Sequence, residues 1–272
     1  MDFQTLTEHE WAKVDEVWEH IEDGDLEGAR AAVDALVARR PGHPDVRIVE
    51  AAVALEEGEA AEALDRLRGA ERSADPALFF YLRALAHFDL VRFEAARADA
   101  ERALAVQPDY AEAHDLLSRV LEHLGRHAEA AEHAEEAARI DPEAFPAPLE
   151  MDPERFDRLV ERSIEELPEK VRAHLHEVPV LVEDLPSPAM LTAEDPPLAP
   201  DLLGLFVGRH LMERSVSDLP SAPGAIYLFR RNLLRVCPTE EDLVREVRIT
   251  VQHEVGHLLG LDEDDLERWG LA

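Results

Sequence analysis

Cysteine is almost missing from this chain of 272 residues: Cys237 stands alone, so no internal disulfide can form. Nothing in its composition therefore calls for an oxidising compartment. Long apolar runs are missing too, and no stretch approaches the roughly 20 residues of a membrane span. The opening Met1-Asp2-Phe3-Gln4 lacks signal-peptide character, and a cytoplasmic protein is expected. Positive charge is scarce: 28 Lys and Arg stand against 60 Asp and Glu, a formal net charge of -32. Nucleic acids and anionic membrane surfaces, both polyanions, are thereby disfavoured, and neutral or basic protein segments become the compatible partners. A Ser-His-Asp set at a recognisable spacing is also lacking. Cys237, followed by Pro238, reads as a small buried filler rather than a nucleophile.

What is present near the end is His253-Glu254-Val255-Gly256-His257-Leu258-Leu259-Gly260. Four residues turn a helix slightly past one full turn, so His253 and His257 share a face and can grip one ion, with Glu254 beside it. In a chain this rich in His and Glu, H-E-x-x-H alone arises by chance in about one such chain in eleven. With the added Gly the figure falls to about one in 250, so context decides. Thr239 is a plausible N-cap followed by acids in the first turn, and Leu243, Val247, Val251, Val255 and Leu258 follow a helical apolar stripe. The motif is thus expected on a helix. His123 and His127 are also four apart, but Gly125 between them marks a turn and no Glu follows the first. His174 and His176, two apart, would diverge on a helix.

A catalytic zinc takes three protein ligands and leaves one position for water. Few residues follow His257, so the third ligand comes from the acidic tail or from upstream. Gly260 can end the helix and fold the chain back, bringing Leu261-Asp262-Glu263-Asp264-Asp265 towards the ion. Glu263 completes H-E-x-x-H-x-x-G-x-x-[ligand] and is the expected third ligand, with Asp262 the alternative. Two neutral imidazoles and one carboxylate leave a net positive centre, able to polarise a carbonyl and lower the pKa of bound water to about 7. Glu254 would act as general base in peptide-bond hydrolysis and return the proton to the leaving amine.

At these residues the chain resembles the small bacterial zincin-like metallopeptidases, or minimal zincins, over roughly Met151 to Leu271. Met151 to Pro168 is similar to that family's opening helix, Val178 to Asp184 to its first strand and Leu203 to Gly208 to its next. Ile226 to Leu234 resembles the strand and turn before the active-site helix. The resemblance implies a compact α+β zincin core, Zn2+ as the one cofactor, His253 and His257 as ligands, Glu254 as catalytic residue and an acid at position 263. The family more typically carries Asp there, and Glu263 is one methylene longer. Independently, Val178 to Val182 and Ala225 to Phe229 are β-branched or aromatic runs and read as strands. Zincins lend the backbone edge of a cleft-bordering strand to an extended substrate. By order along the chain, Ile226 to Phe229 is placed at that edge. Tyr227, Arg230 and His210 are candidates for oxyanion stabilisation, each with a core or surface role as its alternative.

Before Pro146 the texture changes to Ala, Leu, Glu and Arg punctuated by Gly and Pro. Pro44, Pro76, Pro108 and Pro142 recur at intervals of 32, 32 and 34 residues, which suggests helical hairpin repeats. Small residues recur where tetratricopeptide repeats bring helices together, and this region resembles four such repeats. That resemblance implies a right-handed superhelix with a concave groove for peptide or protein, the alternative being a helical cap on the peptidase. Trp11, Trp18 and Tyr81 are read as core before contact.

The expected architecture is multi-domain. An all-α tetratricopeptide-like superhelix spans residues 1–145, a Pro-rich linker 146–150, and a small α+β zincin-like domain 151–272. A second Pro-rich tract, Asp184 to Asp201, reads as a loop between strands. Two functions compete: a zinc-dependent peptidase whose repeats recruit a protein substrate, and a non-catalytic interaction adaptor with a structural or silent zinc site.

Overall fold

The computed structural model describes residues 5–175, 178–208 and 224–259. The chain divides into two units: Met1–Phe145 with Thr192–Pro197, and Pro146–Leu191 with Leu198–Ala272.

The first unit is helical throughout its described elements. Its helices come in four pairs: α1 (Glu8–Glu22) with α2 (Leu26–Arg39), α3 (Pro44–Glu56) with α4 (Ala60–Leu67), α5 (Pro76–Asp89) with α6 (Phe93–Val106), and α7 (Ala111–His123) with α8 (His127–Ile140). Thr7 starts α1 with a capping box. Its hydroxyl accepts from the Glu10 N–H at 3.3 Å, and the Glu10 carboxylate accepts from the Thr7 N–H at 2.8 Å, so two otherwise orphaned donors are satisfied together. Pro44 and Pro76 occupy first-turn positions of α3 and α5, where the missing N–H costs nothing. Pro108 and Pro142 instead fall in the turns before α7 and after α8. The proline period therefore follows the repeat without marking one fixed helix position.

Inside each pair the turn needs a left-handed residue. Gly24, Gly58 and Gly125 supply it at φ of 71°, 78° and 73°, and Val91 takes the same place in the third pair at φ 58°. Five residues further on in every pair is an alanine. Ala29, Ala63, Ala96 and Ala130 are exposed by 0 to 2 %, which lets the two helix backbones lie close. Trp18 and Tyr81 pack on the repeat core, as expected. Trp11, at 37 % exposed, does not.

In the second unit α9 (Pro153–Glu165) begins at Asp152, whose side chain accepts from the Arg155 N–H at 2.8 Å. It is followed by α10 (Glu169–Leu175), β1 (Val180–Glu183), the short α11 (Pro188–Leu191), β2 (Gly204–Val207), β3 (Ala225–Phe229), α12 (Arg230–Val236) and α13 (Glu240–Leu259). The three strands form one sheet in the order β1-β3-β2, β1 parallel and β2 antiparallel to β3. This corrects the placing of Ile226 to Phe229 at the cleft edge: β3 is central, and its backbone is spent on two neighbours. Ile226 and Leu228 on one face and Phe229 at the strand's end are fully buried, while Ala225 and Tyr227 on the other face are half-buried. The segment after it also differs from expectation, being a helix rather than a turn.

The apolar stripe of α13 holds this unit together. Leu243, Val247, Val251, Val255 and Leu258 are each at most 1 % exposed and pack with Phe156, Leu159, Ile226 and Leu228. Cys237 is a 2 % exposed member of the same core; burial pushes its thiol up to about 11, which leaves it inert as a nucleophile. The architecture is thus a helical repeat region followed by a small mixed α+β region with a three-stranded sheet.

Candidate metal centre

Helix α13 is started by Thr239, whose hydroxyl accepts from the Asp242 N–H at 3.1 Å and donates to the Asp242 carboxylate at 2.6 Å. Glu240, Glu241 and Asp242 place negative charge at the positive end of the helix dipole. With its apolar stripe facing the core, the last turns of the helix carry His253 and His257 half-buried, and Glu254 inward at 6 % exposed.

The two imidazoles converge. Their Nε2 atoms lie 2.9 Å apart, with ring centroids 4.5 Å apart and planes inclined at 85°. At that separation the pair can share one proton. Alternatively, both lone pairs can be directed at one cation, because zinc–imidazole bonds of about 2.0–2.1 Å reach a common point from nitrogens this close. The donor set therefore fits zinc on its two nitrogens. Among the described residues no group of three or more His, Cys, Asp or Glu gathers to hold a metal. Glu263, Asp262 and Gly260 lie outside the described residues, as does His210.

The Glu254 carboxylate is held by the sheet. Its Oε2 accepts from the Phe206 N–H of β2 at 2.6 Å. Phe206 was not singled out by sequence reasoning, since a backbone donor leaves no mark on residue identity. Tyr227 sits mid-strand in β3, opposite Leu181 and Leu205. Arg230 points its guanidinium at Asp184, with Nε at 2.9 Å and Nη2 at 2.5 Å from one carboxylate oxygen. Burial works against ionisation of Asp184, yet Arg230 and Arg231 outweigh it and keep the carboxyl below its ordinary range. Arg230 is thus committed to an ion pair that ties the end of β1 to the start of α12.

The other histidine pairs do not converge in the same way. His123 stacks on Phe93, ring centroids 4.3 Å apart and planes 10° from parallel, while His127 is exposed beyond the turn. His174 is half-buried on α10, and His176 is outside the described residues. One pair escaped the sequence reading: His114 and His133 approach Nδ1 to Nδ1 at 2.8 Å, with the His114 Nε2 against the Pro108 carbonyl at 2.9 Å. A carbonyl only accepts, so His114 carries its proton on Nε2 and takes a hydrogen bond from His133 on Nδ1.

Comparison with known proteins bears on both units. Residues 175–271 match the zincin-like metallopeptidase family, and residues 14–77 and 81–145 match the tetratricopeptide repeat. The chain carries a zincin-like metallopeptidase domain behind tetratricopeptide repeats. No curated protein matches it. Among solved structures, MamA is 24 % identical, covering 46 % of this chain and 73 % of its own, with a TM-score of 0.40. The type IV pilus biogenesis factor PilW is 14 % identical over 57 % of this chain and 83 % of its own, TM-score 0.34. The zincin-like domain contains β1, β2, β3 and α13, and with them His253, Glu254 and His257.

Proposed function

We propose that the protein is a zinc-dependent metallopeptidase whose repeats bind a protein substrate or partner. The observation that carries the reading is the convergence of the His253 and His257 Nε2 atoms at 2.9 Å beside a buried Glu254, inside a segment matching a metallopeptidase family. His253 and His257 would hold zinc, with Glu263 as third ligand and Asp262 as its alternative. When bound, the ion supplies Lewis acidity towards a peptide carbonyl and a water molecule. Glu254 then does the proton work: its carboxylate takes a proton from the attacking water and delivers it to the departing amine nitrogen. No covalent intermediate with the protein is required. The peptide class of substrate follows from the metallopeptidase domain. The excess of acidic residues favours neutral or basic segments of that substrate.

The test compares the protein termini of cells making the native chain with those of cells making Glu254→Ala. New termini that depend on Glu254, together with full-length partners trapped on the variant, support the peptidase. Identical termini in both, with the same partners bound, would instead make this an interaction adaptor whose metal site is silent.

A further inference from the structure

Glycine inside a strand forgoes side-chain packing, and its presence there often marks a close approach by another segment. Gly204 begins β2, facing α13. A Cβ placed on it would stand 2.5 Å from Thr250 Cγ2, 3.1 Å from the Tyr227 carbonyl oxygen and 3.4 Å from Glu254 Cγ. The first contact is far inside the roughly 3.5–4.0 Å optimum for two carbons. The second, with the backbone of the central strand, is milder and is relieved by a shift of a few tenths of an ångström. Thr250 and Glu254 are successive turns of one helix face, buried to 7 % and 6 % exposure. Any side chain at position 204 would therefore push that face of α13 away from β2.

The same close approach delivers the carboxylate. Phe229 N–H donates to the Leu203 carbonyl at 2.9 Å. With the register Leu205 to Tyr227 and Phe206 to Ile226, the backbone groups of Leu205 and Val207 face β3, and those of Gly204 and Phe206 face away. The Phe206 N–H points away from β3, on the far side of β2, where Glu254 Oε2 meets it at 2.6 Å.

We propose that Gly204 and the Phe206 amide are positioning elements of Glu254: β2 holds the carboxylate by Oε2 and so fixes its orientation. The chemical role rests on the peptidase reading above; the geometric claim does not. Gly204 acts through Glu254, and its importance follows from how steeply catalysis depends on placement, since a shift of about 1 Å can cost about 100-fold in rate.

Selective 15N-phenylalanine labelling of the full chain yields nine backbone amide signals, one for each phenylalanine, with Phe206 identified by its loss in Phe206→Leu. The Phe206 amide is expected to exchange slowly with solvent. Glu254→Ala should accelerate it by about tenfold or more, the loss of one hydrogen bond to a charged acceptor. Gly204→Ala should do the same while zinc affinity, measured by competition with a chelator dye, stays within about threefold of native. Adding Thr250→Ser removes the methyl that a new Cβ would strike and should restore slow exchange. Unchanged Phe206 exchange in Gly204→Ala overturns the proposal, and so does acceleration that Thr250→Ser fails to reverse. A Gly204→Ala chain that loses zinc along with the amide bond makes Gly204 a general structural residue, which also overturns it. If Gly204→Ala does not fold, Glu254→Ala reads the Phe206 bond without touching β2, and unaltered exchange there is equally fatal. A native chain that binds no zinc yet shows the full exchange pattern removes the peptidase reading and leaves the β2–Glu254 geometry standing.

Discussion

The two units bring backbones into close contact by different means. In the repeats the same small residue recurs, Ala29, Ala63, Ala96 and Ala130, each next to a left-handed turn a few residues earlier. In the zincin-like unit one glycine, Gly204, admits one helix, and the bond that results joins residues 48 apart, Phe206 and Glu254. Redundant local contacts spread the cost of a change over several similar interfaces. A single non-local contact concentrates it at the site where chemistry is proposed. The repeats should therefore degrade gradually under substitution, and the zincin-like unit abruptly.

The sharpest break is expected in the second unit. Phe156 is fully buried beside the α13 stripe, and Phe156→Ala should cost about 3–5 kcal/mol, transfer and cavity terms together. Hydrogen exchange resolved along the chain should show lost protection across β3 and α13, with α1 to α8 unchanged. A milder change is expected from overfilling the repeats. Ala96→Leu, at a position with 0 % exposure, should cost about 1–3 kcal/mol and loosen α5 to α8 while leaving the first pair protected. Uniform loss of protection over all four pairs would contradict the graded picture.

Smaller still is a repair. Val91 holds the left-handed turn position with a β-branched side chain, where the other three pairs use glycine. Val91→Gly should raise the thermal midpoint of the repeats by relieving about 0.5–1 kcal/mol, the left-handed penalty less the added chain entropy. A lowered midpoint would show that the valine side chain contributes more than its backbone costs. The smallest effect concerns pH. Burial, reinforced by His114, holds His133 below the ordinary histidine value, and burial does the same to His87. Between about 6.5 and those lower folded values the unfolded chain binds more protons, so repeat stability falls as pH falls through that window. His133→Gln should make the decline shallower in denaturant titrations at pH 7 and pH 5, and an identical slope would remove His133 from the account.

Much of this was legible in the sequence because it is local. The stripe from Leu243 to Leu258 needs only the helical period, and Thr239 needs only its place ahead of three acids. The turn glycines and following alanines repeat often enough to betray the pairs. The order of the strands was not legible. Ile226 to Phe229 follows the expected pattern for a strand, but which neighbours flank it depends on pairing with segments distant in the chain, and the run Ile-Tyr-Leu-Phe does not announce it. Gly204 did carry a signal, as a glycine inside the run Leu203 to Gly208, though its partner on α13 could be found only in three dimensions. The His114–His133 pair had none, because a separation of 19 residues across a helical pair corresponds to no motif.

Equilibrium dialysis against zinc followed by elemental analysis tests the central claim most directly. The native chain should retain about one zinc ion per molecule, Glu254→Ala should retain the same, and His253→Ala and His257→Ala should each lose it. A native chain that retains none, or a His257→Ala variant that binds zinc as the native chain does, would contradict the account.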